Sequence, residues 1–154
     1  PARSLVAAIN IDMPILLHDF KDVVTLGGNH STLGAAAGRA AGRLGLKTSP
    51  APMPEQARFT RSDQYSFVRQ GIPAVILGPG GKSFDAREDG DALMREFRRQ
   101  TYHQPGDDLT QPFNWRAAQR FAQLQAEVAM DVATQAERPH WLKGSFFGEL
   151  YGAR

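Results

Sequence analysis

Two short segments carry residue types that do chemistry. Asp12 closes the apolar run from Leu5 to Ile11. It therefore stands at the end of a buried strand, where ligands bind in open α/β sheets. A carboxylate there needs a metal, an arginine or backbone amides as a partner; the plainer reading is a cap or turn residue. The second segment, Thr101-Tyr102-His103-Gln104-Pro105-Gly106-Asp107-Asp108, puts a phenol, an imidazole and two carboxylates into one loop. His103 reads as a metal ligand or as an ordinary loop residue. Asp107 and Asp108 read as acceptors for the other ring N–H of His103, or as caps of the turn after Pro105.

Other patterns fail on spacing or context. Gly81-Lys82-Ser83 resembles the end of a phosphate-binding loop, but the position that needs the first glycine is Ile76, inside a strand. Gly27 to Gly34 lies between a strand and a helix, yet Asn29 and Thr32 occupy positions where a dinucleotide fingerprint needs glycine. Arg95, Arg98 and Arg99 read as the solvated face of a helix rather than a phosphate site. No Gly-x-Ser-x-Gly elbow is present to present a serine nucleophile. His18 and His30 read as surface or cap residues, His140 as packing beside Trp141, and Trp115 as core.

The elements that must position these residues alternate. Leu5–Asp12, Val23–Leu26 and Ala74–Leu77 read as short, continuously apolar strands. A helix with Ser31 as N-cap places Leu33, Ala37, Ala40 and Leu44 on one face and ends at Gly45. Three prolines between Thr48 and Pro54 make that stretch an extended loop. Ser62 and Asp63 read as caps of a short helix over Gln64–Gln70. A further short helix reads around Ala92–Arg99. The last clear element is a long helix capped by Asn114, with Phe121, Leu124, Val128 and Val132 on one face. The aromatic tail from Trp141 reads as packing on the body. The pattern is α/β with a mainly parallel or mixed sheet, built as a partial three-layer αβα arrangement. Only about three strands are legible, against a typical ~5–6, so strands are expected to be missing.

The order Asn10-x-Asp12-Met13, then Ser62-Asp63-x-x-x-Phe67 with Gly71-Ile72-Pro73-Ala74, then Tyr102-His103-x-x-x-Asp107 resembles the di-zinc aminopeptidase family. That family includes bacterial leucyl aminopeptidases and glutamate carboxypeptidase-like enzymes. The resemblance covers roughly residues 5–136 and implies a C-terminal portion of the catalytic domain, spanning residues 1–154 here. It implies Asp12 as ligand to one zinc and His103 as ligand to the other. It implies Tyr102 as the hydrogen-bond donor to the tetrahedral intermediate, and Arg61, Ser62 and Asp63 as the border of the substrate cleft. Carboxylate oxygen and imidazole nitrogen are ordinary zinc ligands. Paired metals activate water and polarise the scissile carbonyl.

The chain also departs from that family. A histidine, a bridging aspartate and an adjacent Glu-Glu pair are expected before Asp12, yet only eleven residues precede it and none is His, Asp or Glu. The six glutamates include no adjacent pair. The expectation is therefore an incomplete zinc site and no peptide hydrolysis by this chain alone. Its partners would be a peptide substrate in the full-length enzyme, and either the missing N-terminal half or a second copy at an exposed sheet edge. The alternative is a non-catalytic binding or interaction domain that keeps the peptidase fold. A third reading is an unrelated α/β domain holding a small anion at Gly27–Ser31 or Gly78–Ser83, with Asp12 and His103 far apart. A net charge of +2 argues against nucleic acid as partner. No run reaches the ~20 apolar residues of a membrane span. The absence of cysteine excludes disulfides, thiolate zinc ligands and thiol catalysis. The family suggests export to the periplasm or the medium.

Overall fold

The computed structural model describes residues 4–51 and 57–152. Its strands are β1 (Ala8–Asn10), β2 (Asp22–Leu26), β3 (Lys47–Ser49) and β4 (Ala74–Pro79). Its helices are α1 (Leu33–Arg43), α2 (Gln64–Val68), α3 (Gly90–Gln100), α4 (Trp115–Thr134) and α5 (Phe146–Tyr151), with a 3-10 turn at Arg58–Thr60 ahead of α2. The strands form one sheet in the order β1-β4-β2-β3. β1 runs parallel to β4 and β2 parallel to β3, while the central pair β2 and β4 is antiparallel. The fold is mixed α/β. Of the two sheet types expected, mainly parallel or mixed, the sheet is the mixed one. Because α1, β3 and α2 lie between β2 and β4 in the chain, no hairpin turn marks the reversal.

Strand alternation assigns the two faces of the sheet. Val23, Val75 and Leu77 turn to one face and join Leu33, Ala36, Ala37, Ala40 and Ala41 of α1, and Phe121, Leu124 and Val128 of α4, in the main core. The alanines of α1 leave little side chain between helix and sheet. Arg39 and Arg43 then reach Asp131 and Glu127 on α4 at the rim. Ala8, Leu26 and Ala74 turn to the other face and meet Phe59, Val68, Phe147 and Trp141. The aromatic tail is fastened there, since Trp141 Nε1 donates to the Gly71 carbonyl at 2.9 Å.

The capping reads hold in part. Asn114 Oδ1 accepts from Ala117 N at 3.0 Å, so α4 starts where its cap places it. Asp89 does the same for α3 through Ala92 N at 2.9 Å. Ser31 lies one residue too early: α1 begins at Leu33, and the Ser31 hydroxyl accepts from Leu33 N at 3.4 Å. Asp63 makes no cap bond. β3 occupies Lys47–Ser49 where an extended loop was expected from Thr48 on; it ends before the first proline of the run, part of which lies outside the described residues. Trp115 is 73% exposed because the buried stripe of α4 begins later, at Ala117. Among the described residues no helix is long and apolar enough to cross a membrane.

Candidate functional site

Helix α3 does not lie flat on the sheet. Its apolar residues Met94 and Phe97 pack instead on Ile15, with Met13, Leu17 and Tyr102 around them. Val24, Leu26 and Ile76 of the second sheet face line a gap on that side. The gap between them and α3 is a cleft of about 320 Å³, at the lower end of the size range for small-ligand sites.

The floor of the cleft is apolar and its walls are charged. Asp12, Asp22 and Asp91 supply carboxylates, and Arg58, Lys82 and Arg98 supply cations. Asp22 opens β2 and is 2% exposed. Its Oδ1 accepts from Lys82 N at 2.9 Å, and its carbonyl accepts from Gly80 N at 2.8 Å. The turn at Gly80 and Gly81, directly after β4, can lie this close only because neither residue has a side chain. A Cβ on Gly80 would stand 2.3 Å from the Asp22 carboxyl carbon, and one on Gly81 would stand 2.1 Å from that of Asp91. Below the loop, His18 is wholly buried, not at the surface, and its Nε2 lies 2.9 Å from the Gly80 carbonyl. A carbonyl only accepts, so Nε2 carries the proton; Nδ1 is buried and has no partner among the described residues.

The two anion sites considered from sequence are already filled by the fold. In the glycine loop, the Gly80 and Lys82 amides are spent on Asp22, and the Ser83 hydroxyl donates to Glu88 Oε2 at 2.7 Å. At the start of α1, Thr32 N bonds the His140 carbonyl, Leu33 N bonds the Ser31 hydroxyl, and Gly34 N bonds the Ser31 carbonyl. Gly27 there has φ +83°, and the Phe59 ring lies where its Cβ would be. His30 is half-buried against Phe59 and Phe147, and burial lowers its pKa. His140 is exposed and does not pack; its Nδ1 donates to the Arg138 carbonyl at 3.2 Å.

The structure brings some of the expected site residues together. Asp12 lines the cleft. Tyr102 joins the small cluster of Ile15, Met94 and Met13, residues that also line it. His103 is exposed, has φ +61°, and stacks on Tyr102 at 3.7 Å between centroids; it is not among the cleft-lining residues. The Arg61, Ser62 and Asp63 segment reaches the cleft only through the preceding Arg58. Asp108 Oδ1 accepts from both the amide and the hydroxyl of Thr110, at 2.8 and 2.6 Å, which is the turn-capping alternative. Asp107 is exposed in the same turn.

Asp22, Asp91, Arg58 and Arg98 were not singled out from sequence as cleft residues. Arg98 sits in the basic run that reads as a solvated face, yet it is half-buried and faces the cleft, while Arg99 pairs with Glu96 in solvent. Burial, and then the charge of Arg58, lower the Arg98 pKa, and Asp91 opposes the shift. The only sequence signal for Arg98 is its position one turn after Met94 on the apolar side of α3.

A zinc ion fills four positions with N, O or S donors. Among the described residues, no three His, Asp or Glu side chains come together to hold a metal ion. Asp12, Asp22 and Asp91 share the cleft walls without converging. The donor set does not fit zinc, and no chemical step is assigned to a metal here.

The model of Peptidase family M28, the family to which the motif order points, matches residues 1–129. No curated protein matches the chain, and no solved structure does.

Proposed function

We propose, from the premise that this chain belongs to Peptidase family M28, that it forms the peptide-binding side of a zinc-dependent exopeptidase site. The observation that carries this reading is the cleft itself. Asp12 is not the last residue of a buried strand, since β1 ends at Asn10 and Asp12 is exposed, but it lies on the cleft wall, with Tyr102 beside that wall. In this reading Asp12 and His103 are two of the metal donors, and the Tyr102 hydroxyl donates a hydrogen bond to the oxyanion that develops on the scissile carbonyl. Arg61, Ser62 and Asp63 border the route to the cleft. Hydrolysis also needs further donors and a general base, and this chain has no adjacent glutamates to serve. We therefore propose that the 154-residue chain alone is inactive. Peptides would be bound in the cleft with the chain end inward, as an aminopeptidase holds them.

A binding domain with a peptidase fold is the second reading. It is favoured by the same pairing of a formed cleft with a donor set too small for zinc. Calorimetric zinc titration of the chain, of Asp12→Ala and of His103→Ala tests the first reading, together with turnover of aminoacyl anilides and dipeptides. The expected result is at most one weak site, lost in both variants, and no turnover. Tight binding of two zinc ions would overturn the proposal that the donor set is incomplete.

A further inference from the structure

Most arginines of this protein are compensated or fully wet. Arg39, Arg43, Arg87, Arg99 and Arg120 each hold a carboxylate. Arg61, Arg69, Arg95 and Arg116 stand exposed in water. Arg58 and Arg98 fit neither class. Both are partly buried and both line the cleft. Neither makes a hydrogen bond or ion pair among the described residues. Each charge also acts on the other, since Arg58 is among the causes that lower the pKa of Arg98. Two partly desolvated like charges lining one cleft, offset only by the charge of Asp91 on Arg98 and by no direct ion pair among the described residues, cost free energy that a bound anion would offset.

We infer that Arg58 and Arg98 form a carboxylate subsite, holding a peptide by an acidic side chain or by its free α-carboxylate. Guanidinium groups take carboxylates in paired, charge-assisted hydrogen bonds, and two of them in a cleft of about 320 Å³ fix one end of a dipeptide-sized ligand. A phosphate is disfavoured here. Asp12 and Asp22, and Asp91 on α3 itself, line the same cleft and repel a dianion, and the Gly80 and Lys82 amides that would cradle one are already bonded to Asp22. The peptide as ligand rests on the reading given under Proposed function; the preference for a carboxylate rests on the arginine pair alone.

The test is calorimetric binding of four dipeptides to the intact chain without added metal. Gly-Phe against Gly-Phe amide reads the α-carboxylate, and Gly-Glu amide against Gly-Gln amide reads a side-chain carboxylate. In at least one pair the carboxylate member is expected to bind about tenfold or more tightly, as loss of a hydrogen bond to a charged group implies. That advantage should vanish in Arg58→Gln and Arg98→Gln and persist in Arg95→Gln, which lies on the same helix in solvent. The pair that discriminates identifies the source of the carboxylate. Four equal affinities, no binding by any dipeptide, an advantage that survives both cleft variants, or inorganic phosphate binding as tightly as the acid peptide would each overturn the inference. Because the wild-type comparison needs no variant to fold, it decides even if a substitution unfolds the chain. A carboxylate preference together with tight binding of two zinc ions would keep this inference while the reading of an incomplete exopeptidase site fails.

Discussion

Replacing Asp22 with alanine removes the group on which the cleft loop rests. The buried carboxylate accepts from Lys82 N at 2.9 Å and lies under Gly80. A hydrogen bond to a charged group contributes about 1.5–3 kcal/mol. Lys82 is exposed, so water can reach its amide once the acceptor is gone, and the lower half of that range applies, about 2 kcal/mol. For a domain of this size each kcal/mol moves the melting midpoint by about 2–4 °C, which predicts a loss of about 4–8 °C. Gly80→Ala attacks the same contact from the other side. Its Cβ would stand 2.3–2.4 Å from the three carboxyl atoms of Asp22, an overpacking that costs about 1–3 kcal/mol. In the Asp22→Ala background that obstruction is absent, so the two losses must not add. Urea and thermal unfolding of the two single variants and the double variant, followed by circular dichroism, measure the coupling. A double variant that loses about the sum of the single losses, or an Asp22→Ala protein within about 0.5 kcal/mol of wild type, would refute the view that this carboxylate holds the loop.

Two further outcomes are expected. Burial lowers the pKa of His30 from 6.5, so the unfolded chain takes up a proton there first; the contribution of neutral His30 is complete above about pH 6.5 and falls as the solution is acidified below it. His30→Phe keeps a ring against Phe59 and Phe147, and its stability curve between about pH 7 and 5 should lie progressively above that of wild type; parallel curves would contradict the assignment. The outer edge of β1 pairs with nothing among the described residues, and Leu5, Val6 and Ile11 beside it are exposed, so the chain should elute larger than a monomer as its concentration rises, and Ile11→Lys should reverse this. Monomeric elution of the wild-type chain at every concentration would count against β1 as an open pairing edge.

The elements that sequence made legible are those with their own periodicity or cap. Phe121, Leu124, Val128 and Val132 fall on one helical stripe behind Asn114, and all are buried. Val23 and Val75 belong to short apolar runs, and both lie in the core. β3 was not legible, since Lys47, Thr48 and Ser49 are polar and only their pairing with Asp22–Val24 makes them a strand. The antiparallel join of β2 to β4 was not legible either, because it is set by packing across separated segments. Asp12 was legible as a cleft residue because an apolar run ends on it. Asp22 and Arg98 were not: one sits before an apolar strand as a turn residue would, and the other sits in a run of arginines. Their placement depends on Gly80 and Gly81 lying against Asp22 and Asp91, and on α3 packing on the segment around Ile15.

The cleft is held by contacts within the chain on both sides. α3 is anchored by Met94 and Phe97 to the segment around Ile15, which follows Asp12 directly. The same short stretch of chain therefore sets the Asp12 carboxylate and the distance of α3 from the sheet. On the opposite wall the Asp22 carboxylate fixes the glycine loop through Lys82 N. Both walls are secured by contacts within the chain. A side chain too large at Ile15 would push α3 outward and widen the cleft, altering ligand affinity while leaving Asp12 in place; the core of α1, α4 and the sheet, which does not touch α3, would keep its stability.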